Sequence, residues 1–415
     1  MAPTAAILIV LGAWLSLAVA FGRRLHADWR EPVLAAPVLI VESDDWGPGP
    51  PEDADRLRRL ATVLQESSDE HGRHPVVTLG VVLAVPDSSH EDREGSGPSY
   101  VPRALDQAEF APLRDAMLAG RDAGVFALQL HGKEHFWPPA LLKAAQRDDA
   151  ARAFLDGRRG MPRHESLAPH LQARWVDASQ LPSTALDRPS VVAAVADETA
   201  CFARVFGQFA RVAIPVTFTW TTEVEAAWAN HGVRVIVTPG TRNVGRDVQG
   251  RPAGDGSILR NGDAAAGGAV FVVRDIYFEP ALGHTAERTL PVLNAHYRLG
   301  RPALLEMHRF NFTGDEAQAQ ASFAELRRLL QVSLQKTRQL RFMSTEALAD
   351  ALVARDPSLV DLRLAARVRA FILRAATQHR LRKLAWFTGL ALVAVVVLAI
   401  VSASLRPLAP QPGPR

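Results

Sequence analysis

Two short clusters in the chain combine carboxylates and imidazoles in a pattern suited to a divalent metal. The apolar residues 38–41 lead into Glu42-Ser43-Asp44-Asp45-Trp46-Gly47, and the apolar residues 125–130 lead into His131-Gly132-Lys133-Glu134-His135. One carboxylate and two neutral imidazoles are a common ligand set for catalytic zinc, leaving a coordination position for water. The other Asp of the pair is then free to take a proton from that water. An Asp-Asp alone also reads as a solvated turn, which Gly47 and Pro48 favour; its place at the end of an apolar strand, beside Trp46, argues for a site.

His131 and His135 are four apart, a spacing that puts both rings on one face of a helix. Gly132 and Pro138-Pro139 instead argue for a turn at a strand end, which can still bring both rings to one ion. The same residues read as His-x-x-Glu-His, the inverted zinc-peptidase motif, with Glu134 as base. That alternative needs a helix and leaves Asp44 and Asp45 idle.

The elements that must position these residues alternate in type. Short apolar runs rich in β-branched residues predict strands at 38–41, 76–83, 125–130, 212–219, 233–237, 270–273 and 303–307. Amphipathic segments predict helices at 53–64, 104–119, 190–206, 222–230 and 316–331, with Ser190 as an N-cap and Gly232 ending a helix in a left-handed turn. This alternation implies a mostly parallel sheet with crossover helices, as a barrel or a doubly wound layer. About seven strands fit a distorted, incomplete β/α barrel better than a short open sheet. In either case the site belongs at the carboxyl ends of the strands, where both clusters fall. Segments 87–102 and 242–268, rich in Gly, Ser, Pro and charge, read as loops.

At 415 residues the chain has room for two or three average domains, or for one large α/β domain with additions. A net charge of +3 gives no sign of nucleic-acid binding, and Cys201, the single cysteine, excludes an intramolecular disulfide. The ends are apolar. Residues 384–402 are long enough to cross a bilayer, and residues 5–21 are barely so. The first stretch reads as an uncleaved anchor or as a signal peptide cut after Ala18-Val19-Ala20, although no Lys or Arg precedes it. Residues 356–383 place Leu359, Leu362, Val368, Phe371 and Ile372 at near-helical spacing among Arg363, Arg367, Arg369 and Arg374, as in a helix lying on anionic headgroups or a solvated helix face. The expected division is an anchor at 1–22, a linker at 23–36, a catalytic domain at 37–355, the basic helix at 356–383, a transmembrane helix at 384–403 and a tail at 404–415. Such a chain is an integral membrane protein with the lipid bilayer as a partner. Arg23, Arg24 and Arg30 after the first span, and Arg374, Arg380, Arg382 and Lys383 before the second, favour a cytoplasmic domain.

On these motifs the chain resembles the polysaccharide deacetylases of the family-four carbohydrate esterase type, from residue 37 to 352. The resemblance implies a distorted β/α barrel and removal of N- or O-acetyl groups from a carbohydrate polymer or glycan, with one divalent metal, zinc being the expected ion. It implies Asp44 as base, Asp45, His131 and His135 as metal ligands, and His308, closing Leu304-Leu305-Glu306-Met307-His308, as general acid. It also favours an extracytoplasmic domain on a bacterial plasma membrane. Asp275 is the candidate for orienting the acid, with a salt bridge to Arg274 as its alternative role. Trp46, Phe136 and Trp137 could stack on sugar rings or pack in the core. Two departures stand out. Gly132 replaces the family's Ser or Thr, and of the Arg-x-Pro-aromatic motif only Pro215 remains, leaving Arg211, Arg242 and Arg309 as substitutes for the arginine that pairs with the base. The lost arginine leaves room for a third reading, a membrane-anchored glycan-binding or scaffold protein without turnover.

Overall fold

A computed structural model describes residues 3–87, 98–157 and 163–405. Part of the predicted loop 87–102 and nearly all of the predicted tail lie outside these residues.

Nine strands form the main sheet, all parallel: β1 (Val38–Trp46), β2 (Val77–Val81), β3 (Phe126–Leu130), β4 (Val212–Ala213), β5 (Val235–Thr238), β6 (Val270–Val273), β7 (Ile276–Tyr277), β8 (Ala303–His308) and β9 (Arg341–Phe342). Their spatial order is β6-β5-β4-β3-β2-β1-β8-β7, with β9 also on β1. Strands β6 and β7 sit at opposite ends of this order, yet only Arg274 and Asp275 separate them in sequence. Three Cα steps reach at most about 11 Å, so the sheet must curl until its edges nearly meet. The result is the distorted barrel expected from the strand pattern, and Arg274 lies at its seam.

Alternation along the strands sorts side chains into two apolar bodies. Leu39 and Val41 of β1, with Leu305 and Met307 of β8, face the surrounding helices. Val38, Ile40, Val212, Val235, Val237, Val272 and Leu304 meet inside the barrel, plugged at the base by Leu348 and Leu352 of the helix Thr345–Ala354. Continuing the inward series carries Glu42 and Asp44 along β1 and Glu306 and His308 along β8, and these pair in register side by side. Polar residues therefore fill the upper half of a barrel whose lower half is dry.

Several expected elements are shifted. The predicted strand at 212–219 keeps only β4, because the chain then turns through Thr217 and Phe218 with left-handed φ of 50° and 49°. The helix Arg188–Phe206 is capped by Asp187, whose carboxylate accepts from the Ser190 amide, rather than by Ser190 itself. Gly232 does follow its helix with φ of 94°. The loop 242–268 contains a small hairpin, Asn243–Arg246 with Pro252–Gly254.

At the chain ends, no single helix among the described residues is long and apolar enough to cross a membrane. Two bent pairs pass by length and composition: residues 8–20 with Gly22–Arg30, bent by 71°, and His379–Phe387 with Leu390–Ser404, bent by 104°. The expected continuous span at 384–403 is thus interrupted around Thr388 and Gly389, where Gly389 adopts φ of 76°. The expected linker contains a helix, Gly22–Arg30, and the basic segment divides into Leu364–Thr377 and His379–Phe387. Arg374, expected among the headgroup-facing arginines, is 1% exposed and donates to the carbonyls of Asp28, Glu31, Pro32, Leu299 and Gly300.

Candidate functional site

A local irregularity lets two adjacent aspartates share one cavity. In a regular strand Asp44 and Asp45 would face opposite ways. Here the β1–β2 register slips between Ser43 and Trp46, and Asp45 takes φ of 70°, as in a bulge that re-aims its side chain. Asp residues tolerate this left-handed conformation better than most. Opposite Asp44 stands Gly80, where a Cβ would lie 2.4 Å from Asp44 Oδ1; only glycine leaves room for the carboxylate.

His131 and His135 follow β3 in irregular chain, not in a helix. Gly132 has φ of 89°, and a Cβ there would meet the Glu134 carbonyl at 2.9 Å. The turn leaves no room for the Ser or Thr that the sequence resemblance would put at this position. His131 Nδ1 lies 3.0 Å from the Ile214 carbonyl, which can only accept, so Nδ1 carries the proton and Nε2 offers its lone pair. That lone pair faces Asp45 Oδ1 at 3.3 Å, and His135 Nε2 faces the same oxygen at 3.4 Å. A third imidazole, His164, places Nε2 3.3 Å from Asp45 Oδ2 and stacks on His135. Asp45 Oδ1 is buried and accepts no hydrogen bond. Lone pairs converging on an unsatisfied carboxylate oxygen repel unless a cation lies among them, so Asp45, His131, His135 and His164 fit a divalent metal. Asp45, His135 and His164 form the tightest group. Burial and the neighbouring His164 hold the His135 imidazole well below its usual pKa, keeping it neutral as a ligand must be.

Asp44 pairs with an arginine from the barrel seam. Arg274 Nη2 donates to Asp44 Oδ2 at 2.6 Å and Nη1 to Glu42 at 3.0 Å, while Glu306 lies 3.4 Å from Nε. All four groups are buried. Burial alone would raise Asp44, yet Arg274 and the protonated His308 outweigh it and leave its carboxyl below the ordinary value. In Glu42 and Glu306 burial prevails and the carboxyls are raised. The three substitutes suggested by sequence lie elsewhere: Arg211 pairs with Glu346, Arg242 with Glu225 and Asp255, and Arg309 approaches Glu165.

His308 ends β8 beside Asp44, and its Nδ1 lies 2.6 Å from Glu279 Oε1. Glu279 also accepts from the Asn311 amide. Asp275 does not orient His308; its half-exposed carboxylate lies 3.6 Å from His296, because it follows Arg274 on the outward side of the seam. Burial would lower the His308 imidazole, but the hydrogen bond to Glu279 and the charges of Asp45 and Asp44 raise it to about 10.

These groups line a cleft of about 360 Å³ whose walls include Phe218, Tyr277 and Phe310. Trp46 is fully buried, donating to Ser43 Oγ and stacking on Phe312; Phe136 is buried among Leu141 and Phe154. Trp137 packs against the outer core. None of the three lines the cleft. Neither does Glu134, which is buried, paired with Arg174 and hydrogen-bonded by Tyr100 at 2.7 Å. His164, Arg274 and Glu279 are the residues that sequence reasoning passed over. His164 lies in a short 3-10 turn outside any strand, with no motif to flag it.

No family model matches the sequence, and no curated protein matches it. Among solved structures, the chain is similar to a 4-alpha-glucanotransferase from Thermococcus litoralis, at 9% identity and a TM-score of 0.41, over 76% of this chain and 40% of that one. It therefore spans less than half the length of that protein. It is also similar to a family 4 carbohydrate esterase from Streptomyces lividans in complex with acetate, at 12% identity and a TM-score of 0.34, over 74% and 92% of the two chains. A peptidoglycan deacetylase from Bacillus subtilis is similar at 11% identity and a TM-score of 0.35, over 78% and 94%.

Proposed function

We propose that this chain is a metal-dependent hydrolase that removes acetyl groups from carbohydrate. The observation that carries the reading is the pairing of Asp44 with Arg274 and of His308 with Glu279, on adjacent strands, around Asp45 and three imidazoles in one cleft. One carboxylate and three imidazoles suit zinc among the common divalent ions. Such an ion, when bound, polarises the acyl carbonyl and makes water more acidic.

The protein's own groups divide the remaining work. Arg274 occupies Asp44 Oδ2, so Oδ1, buried and without a partner, is the atom that accepts the proton of the attacking water. Glu279 holds Nδ1 of His308 and leaves Nε2 to protonate the departing amine or alkoxide. With its pKa raised to about 10, His308 carries that proton at neutral pH. Phe218, Tyr277 and Phe310 take the sugar-facing role first given to the tryptophans. A binding protein without turnover loses its support once Arg274 replaces the missing arginine. A peptidase based on Glu134 fails because that carboxylate is already committed to Arg174 and Tyr100.

The test is acetate release from acetylated glycans by the full chain, with bound metal measured in parallel. Asp44→Asn should retain metal and lose roughly 10²- to 10⁴-fold in kcat. Metal-loaded protein that releases no acetate from any acetylated carbohydrate would overturn the assignment.

A further inference from the structure

The first and last described helices meet at the end of the barrel opposite the cleft. Trp14 Nε1 donates to the Thr388 carbonyl at 3.0 Å, and Arg374 joins residues 28–32, which lead into β1, to Leu299 and Gly300, which precede β8. Because the strands are parallel and the catalytic groups sit at their carboxyl ends, this junction is the base.

Two kinds of surface adjoin there. One is apolar: Leu11, Leu15 and Val19 on the first helix, with Phe387, Val396 and Ile400 near the last, are all more than half exposed. The other is a basic cleft of about 910 Å³ between residues 19–24, the loop through Gly256 and Ser257, and Gln378-His379. Its deeper arginines, Arg260 and Arg301, are balanced by Asp28 and Glu31. Arg23 and Arg24 are not. Arg23 donates only to the Gly256 carbonyl, and neither it nor Arg24 has a carboxylate partner among the described residues. Arg380, Arg382 and Lys383, exposed on the neighbouring helix, are equally unpaired.

Unpaired cations bordering exposed aliphatic helices match the layering of a bilayer surface, with phosphate outside and hydrocarbon within. We propose that the cleft at Arg23 and Arg24 receives the phosphate headgroup of an anionic lipid, which seats the barrel base on the membrane and turns the catalytic cleft away from it.

The full chain is mixed with vesicles of phosphatidylcholine, with and without phosphatidylglycerol, and binding is followed by flotation. Inorganic phosphate is added as competitor in a parallel arm. Binding is expected to require phosphatidylglycerol, to fall with added salt, and to weaken on the order of tenfold or more in the Arg23→Gln/Arg24→Gln double variant. Both residues are exposed, so the variant's melting temperature and metal content should match the wild type. Equal binding to vesicles of phosphatidylcholine alone, or an unaltered double variant, would overturn the proposal. Displacement by millimolar inorganic phosphate would also overturn it, by assigning the cleft to a soluble phosphate ligand.

Discussion

His308 keeps its proton well into the alkaline range because Glu279 grips Nδ1 and two aspartates lie nearby, together outweighing the effect of burial. The sign follows from a raised pKa: this group's contribution to stability is complete below the ordinary histidine value of 6.5 and is lost as pH rises through about 10. For Asp44 the shift is downward, so its contribution is present above the ordinary value of 3.8 and is lost as pH falls through the lowered one. The base is thus ionised and the acid protonated across neutral pH, and kcat/KM should hold a broad plateau. Glu279→Gln removes a charged hydrogen bond worth about 1.5–3 kcal/mol, which lowers the alkaline limb by roughly 1–2 pH units. A pH profile of kcat/KM with an unmoved alkaline limb would separate Glu279 from the acid. Asp44, Asp45, His131, His135 and His308 were legible in sequence because each closes an apolar run. Glu279 and Arg274 were not, because their partners lie 29 and 230 residues away: pairing of β7 with β8 brings Glu279 to His308, and the barrel seam brings Arg274 to Asp44.

At the scale of elements, the site depends on places where regular geometry fails. The bulge at Asp45 turns two neighbouring carboxylates into a base and a ligand, and the turn at Gly132 bends the histidine loop beneath them. Placing a hydroxyl there with Gly132→Ser should therefore harm the protein. Its Cβ would lie 2.9 Å from a carbonyl at a φ that L-residues avoid, costing about 1–3 kcal/mol. Thermal unfolding and metal titration would both register the loss; a stabilised variant with tighter metal binding would show that the missing hydroxyl mattered more than the backbone. Strand periodicity located β3, β6 and β8 closely, and it stopped β1 at Val41 although that strand continues to Trp46. It overextended β4, because Ile214 to Phe218 is apolar enough to read as strand while two left-handed residues make it a turn.

At the scale of the molecule, the polar upper half of the barrel is an electrostatic unit. Arg274 answers Glu42, Asp44 and Glu306, and Thr345 reaches Glu42 from the basal helix. Arg274→Met would leave these carboxylates buried together, a change expected to cost about 3–5 kcal/mol. Denaturant unfolding at neutral pH should show that loss, and the deficit should shrink in acid as the carboxyls take up protons. A deficit independent of pH would assign the effect to packing alone.

Arg374 sets a condition on when the chain can finish folding. It hydrogen-bonds five carbonyls at the base, and residues 359–361 add backbone bonds to Val33 and Ala35. A chain truncated after residue 355 lacks both and should resist proteolysis poorly, whereas one ending after 378 should be as resistant as the full chain. During synthesis the first strand emerges early, but its neighbour β8 and the arginine that locks the base arrive more than 250 residues later. The nascent barrel must wait, open and chaperone-accessible, until Arg374 has left the ribosome.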